Sequence, residues 1–391
     1  MIFNNQSKLN LFLNVLAQSK YGSINVYKDN KSIFSFKGEL PGPDANIKIL
    51  KEKCISDFFL RGDLGWAESY VDGNWETSNL TDFLEWGARN FHEFSKYVRG
   101  KWFTILYLRL KHHLKKNSRS GSKKNISFHY DLGNSFYEKW LDESMTYSSA
   151  MFKDPKDNLL KGQINKYENL ANITGIKESD KILEIGCGWG GFLEYASKKG
   201  FVVKGITISP SQFQFAKTRL EQMTNIPEIE LIDYRKISGK FDAIVSIEMF
   251  EAVGSEYWEA FFSKIKSLLK ENGKAVIQTI TIGDEFFDSY RKNPDFIQTY
   301  IFPGGMLASN KIIHQLAENN ELKSISQKNF PESYAKTLEA WFLNFQDCWD
   351  QVGSLGFDKK FKNTWDMYLA YCRGGFLNER ISVSQYLLEN K

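Results

Sequence analysis

The sequence predicts an α/β protein in which a small amino-terminal α/β domain precedes a doubly wound sheet. Three observations support this fold class. From Ile126 onward, apolar and β-branched runs alternate with helical patterns, as strands and crossover helices do in a doubly wound fold. One run leads into a turn with three glycines at every second position. Before residue 95, short strand-like pieces lie beside turn-forming residues, which is typical of a separate small domain.

The predicted boundaries follow these changes of pattern. Residues 1–95 form the small domain, with strand-like pieces at Gly22–Tyr27 and Ser32–Phe36 and a turn at Pro41-Gly42-Pro43. Residues 96–125 form a basic linker helix that ends in a flexible Ser- and Gly-rich stretch. Residues 126–391 form the doubly wound domain.

The basic linker has a strong asymmetry of charge. It contains no acidic residue from Lys96 to Lys124, and apolar side chains such as Trp102 and Leu106 interleave with its bases. The bases are Lys96, Arg99, Lys101, Arg109, Lys111, Lys115, Lys116, Arg119, Lys123 and Lys124. This pattern favours an interfacial helix on an anionic membrane surface. The alternative is a connecting helix with a solvated basic face. Nucleic acid is disfavoured, because no recognition helix or single-strand-binding aromatic signature accompanies the charge.

Composition excludes several classes of protein. The 391 residues are 42% hydrophobic, which is enough for a large core, and the net charge of +4 is of mixed sign throughout. Four cysteines lie far apart with no C-x-x-C pair, which predicts neither a metal site nor a disulfide framework and indicates a reducing compartment. The chain has no apolar run of membrane-spanning length and no secretory signal pattern. We therefore expect a cytoplasmic location.

The glycine turn follows the predicted strand Lys181–Ile185 and comprises Gly186, Gly188 and Gly190. Glycine lets the backbone approach a ligand closely. A dinucleotide fingerprint has its acidic residue about 20 residues after the glycines, whereas Glu184 here precedes them. That order is typical of class I S-adenosylmethionine (SAM) methyltransferases, which have a Rossmann-like sheet. A tight turn with no ligand is the alternative.

Other loops are predicted to lie at the same edge of the sheet. The candidate strands are Lys181–Ile185, Val202–Ile208, Ile229–Ile232, Phe241–Ile247 and Ala275–Ile282. Ser209 is a candidate helix N-cap with Pro210 at the first helical position. Asp233 and Tyr234 end the third strand, where a carboxylate and an aromatic face would suit the edge and plane of adenine. Ligands bind at the carboxyl edge in such folds, so these loops predict a cofactor site.

Two longer motifs resemble a known family. The segment Ile126–Tyr137, followed by Trp140–Ala150, closely resembles the signature of the cyclopropane fatty acyl phospholipid synthases. The resemblance covers residues 126–385, and a further stretch resembles the family's amino-terminal domain. The other matching segments are Glu184–Phe192, Phe241–Gly254, Tyr300–Gly305, Tyr368–Phe376, Gly65–Tyr70 and Gly73–Trp75.

The resemblance implies SAM-dependent methyl transfer to the cis double bond of an unsaturated phospholipid acyl chain, without a metal. The π electrons attack the methyl group, and a base then removes a proton. Loss of the proton from the added methyl group closes a cyclopropane ring, which is the leading expectation. Loss from a neighbouring chain carbon gives a methyl-branched alkene instead. A non-catalytic lipid-binding module with a vestigial site is a third hypothesis.

The expected partners are an unsaturated phospholipid, the anionic inner face of the membrane to which the protein binds peripherally, and a second copy of the chain in a homo-oligomer, a dimer. The amino-terminal domain is expected to contact lipid or that second copy. We expect no nucleic acid partner.

The resemblance also implies a cofactor-binding set. It comprises Tyr147 and Ser148 at the amino-acid end of SAM, Gly186, Gly188 and Gly190 beneath it, Thr207 and Gln212 near the ribose and carboxylate, and Asp233 and Tyr234 at the adenine. His129 and Tyr130 belong to the signature that closes over the cofactor. A lone histidine is more often structural than catalytic, so His129 is not assigned as a base.

The family's base is a bicarbonate ion held by a cysteine, a glutamate, a histidine and a tyrosine. Only the glutamate is retained, as Glu251, because Ser149, Gln278 and Phe342 stand at the other three positions. Ser149 and Gln278 still donate hydrogen bonds, whereas Phe342 does not. We expect Glu251 either to orient an anion or to act as the base with a pKa raised by burial. Bicarbonate therefore stays open as a cofactor.

Overall fold

The computed structural model describes residues 5–97 and 132–391, which form two compact units. Within these ranges, the first unit contains residues 5–97, 292–301 and 349–379. The second contains residues 132–291, 302–348 and 380–391. The sequence predicts that all residues from 126 to 391 form one domain. The structure differs, because it groups residues 292–301 and 349–379 with the amino-terminal residues.

Strands and helices are numbered in chain order. The strands are β1 Tyr21–Lys28, β2 Lys31–Lys37, β3 Leu40–Ile49, β4 Trp75–Glu76, β5 Lys181–Ile185, β6 Val202–Thr207, β7 Glu228–Leu231, β8 Phe241–Ile247, β9 Leu269–Ile282, β10 Ala308–Ser309, β11 Leu322–Asn329 and β12 Ile381–Asn390. The helices are α1 Asn5–Leu16, α2 Lys53–Val71, α3 Leu80–Arg89, α4 Phe91–Ser95, α5 Asn134–Tyr137, α6 Leu159–Thr174, α7 Gly191–Lys198, α8 Pro210–Leu220, α9 Trp258–Leu268, α10 Asp284–Lys292, α11 Asn310–Asn319, α12 Pro331–Asp347, α13 Trp349–Gly353 and α14 Lys359–Leu377. Short 3-10 turns lie at Phe250–Ala252 and Ser255–Tyr257, and a π-helical turn at Ile297–Ile301.

The first unit contains a four-stranded sheet in the order β2-β1-β3-β4. Helix α14 belongs to this unit because it bonds to α2 and to its carboxyl end: Lys360 pairs with Asp72, and the Asn363 side chain donates to the backbone of Tyr70. Such contacts between distant parts of the chain carry no periodic signal, so the sequence does not reveal this grouping.

The predicted turn at Pro41-Gly42-Pro43 is wrong, because these residues lie inside β3. The register with β1 shifts there: Tyr21 pairs with Leu40, whereas Ser23 pairs with Asp44. The extra residues form a bulge, which accommodates proline without a ladder donor.

The second unit contains an eight-stranded sheet in the order β11-β12-β9-β8-β5-β6-β7, with β10 beside β9. Strands β5 to β9 are mutually parallel, and β12 pairs antiparallel with β9. All five predicted strands are present, and β9 begins six residues earlier than Ala275, at Leu269. The doubly wound fold class is therefore confirmed.

Apolar side chains cover both faces of this sheet, as in other parallel sheets. Leu183 and Ile185 of β5 belong to one core cluster, and Ile182 belongs to the other. Glu184 lies two residues after Ile182, on the same face of the strand, and is also buried, at 3% exposed. A carboxylate in this position is costly unless it serves a site.

The sheet has a topological switch point at the carboxyl ends of β5 and β8. Strand β5 lies between β6 and β8, so the chain order reverses there, and open α/β sheets bind ligands at such a switch point. The glycine turn leaves β5 at this edge, and residues 248–254 leave β8 beside it.

Two predicted features lie outside the described residues. They are the basic segment from residue 98 onward and the first part of the family signature, with His129 and Tyr130. In the ranges that the structure does describe, no helix has both the length and the apolar character needed to cross a membrane.

Candidate active site

The glycine turn adopts backbone conformations that favour glycine. Gly186, Gly188 and Gly190 have φ values of +84°, +53° and +87°. A Cβ on Gly186 would lie 2.7 Å from the Cγ of Met249, and one on Gly190 would lie 3.1 Å from a methyl group of Leu220. Those two glycines are thus required by packing as well as by φ. A Cβ on Gly188 would meet no atom within 4 Å, so this position faces open space.

Ser148 is held by two buried side chains of α6. The Nζ of Lys166 donates to the Ser148 hydroxyl at 2.7 Å and to the side-chain oxygen of Gln163 at 2.6 Å. The amide of Gln163 donates to the Ser148 carbonyl at 3.0 Å. Lys166 is fully buried, and burial lowers its pKa to about 7, although the nearby carboxylates of Glu248 and Glu184 oppose this shift. Ser148 therefore has a fixed position beside a buried amine.

Thr207, the last residue of β6, and Gln212 of α8 lie together. The Thr207 hydroxyl donates to the side-chain oxygen of Gln212 at 3.1 Å. Ser209 caps α8, because its hydroxyl accepts from the Gln212 backbone N–H at 3.4 Å, and Pro210 occupies the first turn. The predicted N-cap is confirmed, and it fixes the Gln212 side chain near the end of β6.

Asp233 and Tyr234 have contacts that the sequence does not predict. The Asp233 carboxylate accepts a bidentate pair from Arg235, at 2.8 and 2.5 Å. The Tyr234 ring is a core residue that meets Phe261 edge to face, and burial raises its pKa to about 12. Contact of these two residues with adenine stays a prediction, and Tyr234 has little free ring face to offer.

Tyr147 belongs to an aromatic cluster. Its ring centroid lies 5.3 Å from that of Tyr137, 5.6 Å from that of Trp140 and 5.2 Å from that of Trp341. Trp189, inside the glycine turn, lies 4.8 Å from Tyr137. We call these five residues the aromatic cluster. Because Trp189 lies in the glycine turn, the cluster extends to the turn itself.

Glu248 is the acceptor for two of the positions that depart from the family pattern. The backbone N–H of Ser149 and the side-chain amide of Gln278 each donate to its Oε1 at 2.8 Å. The Tyr334 hydroxyl donates to its Oε2 at 2.6 Å. Burial raises the pKa of Glu248 above its usual range, although the Lys166 charge and these three donors oppose the shift. The Ser149 hydroxyl itself donates to the Ala150 carbonyl at 2.8 Å.

Glu251 lies one 3-10 turn after Glu248. Its Oε1 accepts from the Ile280 backbone N–H, whereas its Oε2 is buried without a hydrogen-bond partner among the described residues. Burial and the neighbouring Glu248 carboxylate raise the pKa of Glu251 to about 8. Both acids therefore have a raised pKa, which the positive charge of Lys166 opposes at Glu248 and the negative charge of Glu248 reinforces at Glu251.

Phe342 is not the aromatic residue that meets these acids. It follows Trp341 on α12 and is partly exposed, and the tyrosine hydroxyl that reaches Glu248 comes from Tyr334, about two turns earlier on the same helix. The structure thus brings Ser149 and Gln278 together on Glu248, with Glu251 close by in the chain.

Sequence reasoning missed Glu248, Tyr334, Lys166 and Gln163. A glutamate after a strand resembles ordinary loop polarity, and a lysine within a helix resembles a solvated face. The available signal was Glu248 in the segment Glu248-Met249-Phe250-Glu251, where two acids directly follow an apolar strand. Within the described ranges, no three His, Cys, Asp or Glu residues are grouped as metal ligands.

The residues present fit SAM as a cofactor. The open space at Gly188 is one that a side chain would fill, and it lies beside Trp189, which contacts the aromatic cluster. Hydrogen bonds fix the polar side chains of Ser148, Thr207 and Gln212. All three stand at positions that the family resemblance assigns to SAM.

Comparison with known proteins identifies the family. The model described as mycolic acid cyclopropane synthetase matches residues 117–386. The chain is 33% identical over 337 residues to the tuberculostearic acid methyltransferase UfaA1 of Mycobacterium tuberculosis, covering 84% of this chain and 79% of that protein. It is 35% identical over 349 residues to the cyclopropane-fatty-acyl-phospholipid synthase of Escherichia coli K12, covering 84% and 85%.

A solved structure agrees with these relatives. The mycolic acid cyclopropane synthase CmaA1, complexed with SAH and CTAB, has a TM-score of 0.65 and 29% identity to this chain, covering 68% of this chain and 98% of that one. The chain therefore belongs to the mycolic acid cyclopropane synthetase family and is a SAM-dependent methyltransferase with a class I fold.

Proposed function

We propose that the protein transfers the methyl group of SAM to the cis double bond of an unsaturated phospholipid acyl chain and closes a cyclopropane ring. The observation that carries this proposal is the arrangement at one sheet edge: an open glycine turn, the aromatic cluster and two adjoining acids. The name of the Escherichia coli relative supports the substrate class and the product.

The polar residues hold the cofactor in this proposal. SAM supplies a methyl group on a positively charged sulfur. Ser148, fixed by Gln163 and Lys166, binds the amino-acid end, and Gln212 binds beside it, oriented by Thr207. A positioned methyl group and alkene convert an encounter between two molecules into an internal step.

The aromatic cluster serves the apolar chain and the charge that develops on it. Ring faces attract cationic character without acting as nucleophiles. Trp140 and Trp341 are almost completely buried, so they also exclude water that would otherwise add to the chain. Tyr147, which is partly exposed, is the member of the cluster placed to meet a ligand.

A second candidate is methyl transfer that ends in a methyl-branched alkene. One observation favours it: the Ser149 backbone and the Gln278 side chain bond to Glu248, so the anion pocket of the family is altered. The relatives include proteins named fatty acid methyltransferases, such as that of Pseudomonas putida. A base in a different position would reach a different proton, and the product depends on which proton leaves.

One experiment tests both candidates. Purified protein is incubated with SAM and vesicles of a cis-monounsaturated phosphatidylglycerol, and the acyl chains are analysed by mass spectrometry and proton NMR. Both products gain one carbon and have the same mass. Ring methylene protons identify the cyclopropane, and a branch methyl signal together with vinyl protons identifies the branched alkene. Bound SAM with no methylated lipid would favour the non-catalytic lipid-binding hypothesis.

The setting of the reaction is also a proposal. We infer a cytoplasmic protein that binds the inner membrane face peripherally through the basic segment and acts as a homodimer. The support is the excess of positive charge from Lys96 to Lys124, a stretch with no acidic residue, and the phospholipid in the name of the Escherichia coli relative.

A further inference from the structure

We propose that Glu248 is a catalytic base built into the chain, which takes the place of the bicarbonate ion used by the family. The inference rests on the proposed methyl transfer. The reaction would then need no added anion, and the departure at Gln278 would be an adaptation to an internal carboxylate.

The hydrogen bonds of Glu248 are those expected around a bound carboxylate anion. One oxygen accepts from the Ser149 backbone and from the Gln278 amide, both at 2.8 Å, and the other accepts from Tyr334 at 2.6 Å. Ser149 and Gln278 stand at the positions of the family's cysteine and histidine. The donors that remain of the anion pocket therefore surround a side chain of the protein itself.

Gln278 is oriented for this task by its neighbours. Its side-chain oxygen accepts from the Gln385 amide at 2.8 Å, and the oxygen of Gln385 accepts from Asn169 at 2.6 Å. The chain of amides leaves the Gln278 N–H group to face Glu248. A histidine at this position could itself take up a proton, whereas an amide only donates, so Gln278 is a positioning residue.

The backbone at Glu248 is held in a conformation that ordinarily favours glycine. Its φ is +47°, which strains a non-glycine residue. The Glu248 N–H donates to the Gln278 carbonyl at 2.8 Å, which fixes this conformation. Strained residues often cluster at active sites, although Glu379 has the same conformation outside this site, so the strain supports the role of Glu248 only together with its hydrogen bonds.

The neighbouring charges divide the roles of the two acids. Burial raises the pKa of both acids. The Lys166 charge and the three donors oppose this shift at Glu248, whereas at Glu251, whose Oε2 is buried without a hydrogen-bond partner among the described residues, the adjacent Glu248 charge adds to it. Glu248 and Glu251 have the same intermediate exposure, so their hydrogen bonds and neighbouring charges, and not their exposure, distinguish the two acids. We therefore assign proton removal to Glu248 and a supporting role to Glu251.

The proposed step is balanced without a further reactant. The alkene carbon bonds to the methyl carbon as the carbon–sulfur bond breaks, and the sulfur keeps that electron pair. Glu248 then removes a proton from the added carbon, and the electrons of that C–H bond form the last bond of the ring. Glu248 is left as a neutral carboxylic acid, which returns its proton to water after product release.

The test uses two substitutions of Glu248 and one matched control. Glu248→Gln keeps the size and removes the carboxylate. Glu248→Gly relieves the strained φ and leaves room for an anion among the same donors. Glu379→Gly is the control, since Glu379 lies outside the site and has a φ of +53°. Rates are measured in carbonate-free buffer with SAM and cis-monounsaturated phosphatidylglycerol vesicles, and SAM affinity is measured by calorimetry.

Wild-type protein and Glu379→Gly are expected to keep their rates without bicarbonate. Both Glu248 variants should bind SAM with affinity within about twofold of wild type and lose at least about 100-fold in rate, the contribution typical of a general base. Added bicarbonate or formate should restore part of the rate of Glu248→Gly and none of that of Glu248→Gln.

Two results would overturn the role of Glu248. One is a wild-type enzyme that methylates lipid but loses its rate when bicarbonate is removed. The other is a Glu248→Gln protein that keeps more than half of the wild-type rate. Wild-type protein that binds SAM and methylates no lipid under any condition contradicts the proposed function itself, and this role with it.

Discussion

At the scale of single residues, the site is a group of buried ionisable side chains that stabilise one another. Lys166, Glu184, Glu248 and Glu251 all have pKa values displaced from their usual range, with burial as the first cause of each. Such displacement is typical of functional sites, because burial costs stability that a purely structural residue would not need to lose. The lysine limits this cost for the acids near it.

The first prediction concerns Gly188. Gly188→Leu should leave the fold intact, because a Cβ there meets no protein atom, and should abolish SAM binding by filling the open space. The positive φ of +53° adds a strain of roughly 1–2 kcal/mol. Thermal unfolding and calorimetric titration with SAM measure the two effects.

Gly200→Leu is the matched control, since Gly200 has a φ of +80° and open space around it but lies after α7, away from the turn. It should show similar strain and unchanged SAM affinity. Unchanged affinity in a folded Gly188→Leu protein would make the cofactor assignment of the turn wrong.

The second prediction concerns the pH dependence of stability. Burial raises the pKa of Glu184 to about 8, and its Oε2 has no hydrogen-bond partner among the described residues. Between about pH 4.5 and 8 the unfolded chain is ionised at this residue and the folded chain is protonated, so the free energy of unfolding falls as pH rises. Glu184→Gln cannot ionise at this position. Over the same pH range, its free energy of unfolding should therefore fall by roughly 2–4 kcal/mol less than that of wild type.

Urea unfolding of cofactor-free protein at pH 5 and pH 8.5 measures this difference. Glu178→Gln is the control, because Glu178 is an exposed glutamate just before β5, and it should follow wild type. If Glu184→Gln instead ran parallel to wild type, burial would not govern the ionisation of Glu184.

The sequence identified residues whose roles depend on a motif and missed those whose roles depend on contacts. Gly188 and Ser209 follow from local spacing and capping rules, and the structure bears out the open turn and the cap. Tyr334 is 86 residues from Glu248 in the chain, and no periodicity links them. From the sequence alone, Lys166 looks like an ordinary lysine of an amphipathic helix, because its burial depends on contacts that the sequence does not show.

At the scale of elements, strand ends and helix starts build the site. The parallel strands were predictable because continuous runs of β-branched and apolar residues are typical of strands that are buried on both faces. The bulge at Pro41 to Pro43 was not, because proline and glycine predict a turn unless the pairing partner is known. Helix α12 illustrates the same limit: it supplies Trp341 and Tyr334 to the site, although the resemblance pointed to Phe342.

The third prediction concerns the start of α8. Ser209→Ala removes the cap of this helix and should cost about 1 kcal/mol of stability. It should also weaken SAM binding, because Gln212, whose backbone N–H donates to the cap, loses its fixed position. Urea unfolding and the Kd for SAM are the measurements.

Asp358→Ala serves as the comparison, since Asp358 caps α14 by accepting from Phe361 at 2.7 Å. A similar loss of stability with unchanged SAM affinity is expected there. Equal weakening of SAM binding in both variants would show that the effect is general loosening and not the position of Gln212.

At the scale of the whole molecule, the chain is not divided as a simple succession of domains. The unit with the amino-terminal sheet also takes residues 292–301 and 349–379, so the segments that build it are interrupted by parts of the other unit. Shifts in composition along the chain detect boundaries between consecutive domains. They do not show that a later segment packs into an earlier unit. The basic segment, by contrast, is visible only in the sequence.

The last prediction concerns that basic segment, which from residue 98 onward lies outside the described residues. Each lysine or arginine close to an anionic surface contributes roughly 1 kcal/mol of attraction, which salt reduces. Replacing Lys111, Lys115 and Lys116 together by Gln should therefore weaken sedimentation with anionic vesicles at low salt. Turnover of detergent-dispersed lipid should change much less, because the catalytic groups are untouched.

The matched control replaces three exposed lysines of the second unit, Lys161, Lys177 and Lys217, by Gln. It makes the same change in net charge, so a general electrostatic effect would weaken the vesicle binding of both variants alike. When the comparison is repeated at 0.1 M salt, a local membrane-binding segment weakens vesicle binding only in the first variant, because attraction there falls off within a Debye length of about 10 Å. Sedimentation of the first variant equal to that of wild type would remove residues 96–125 from the membrane-binding surface.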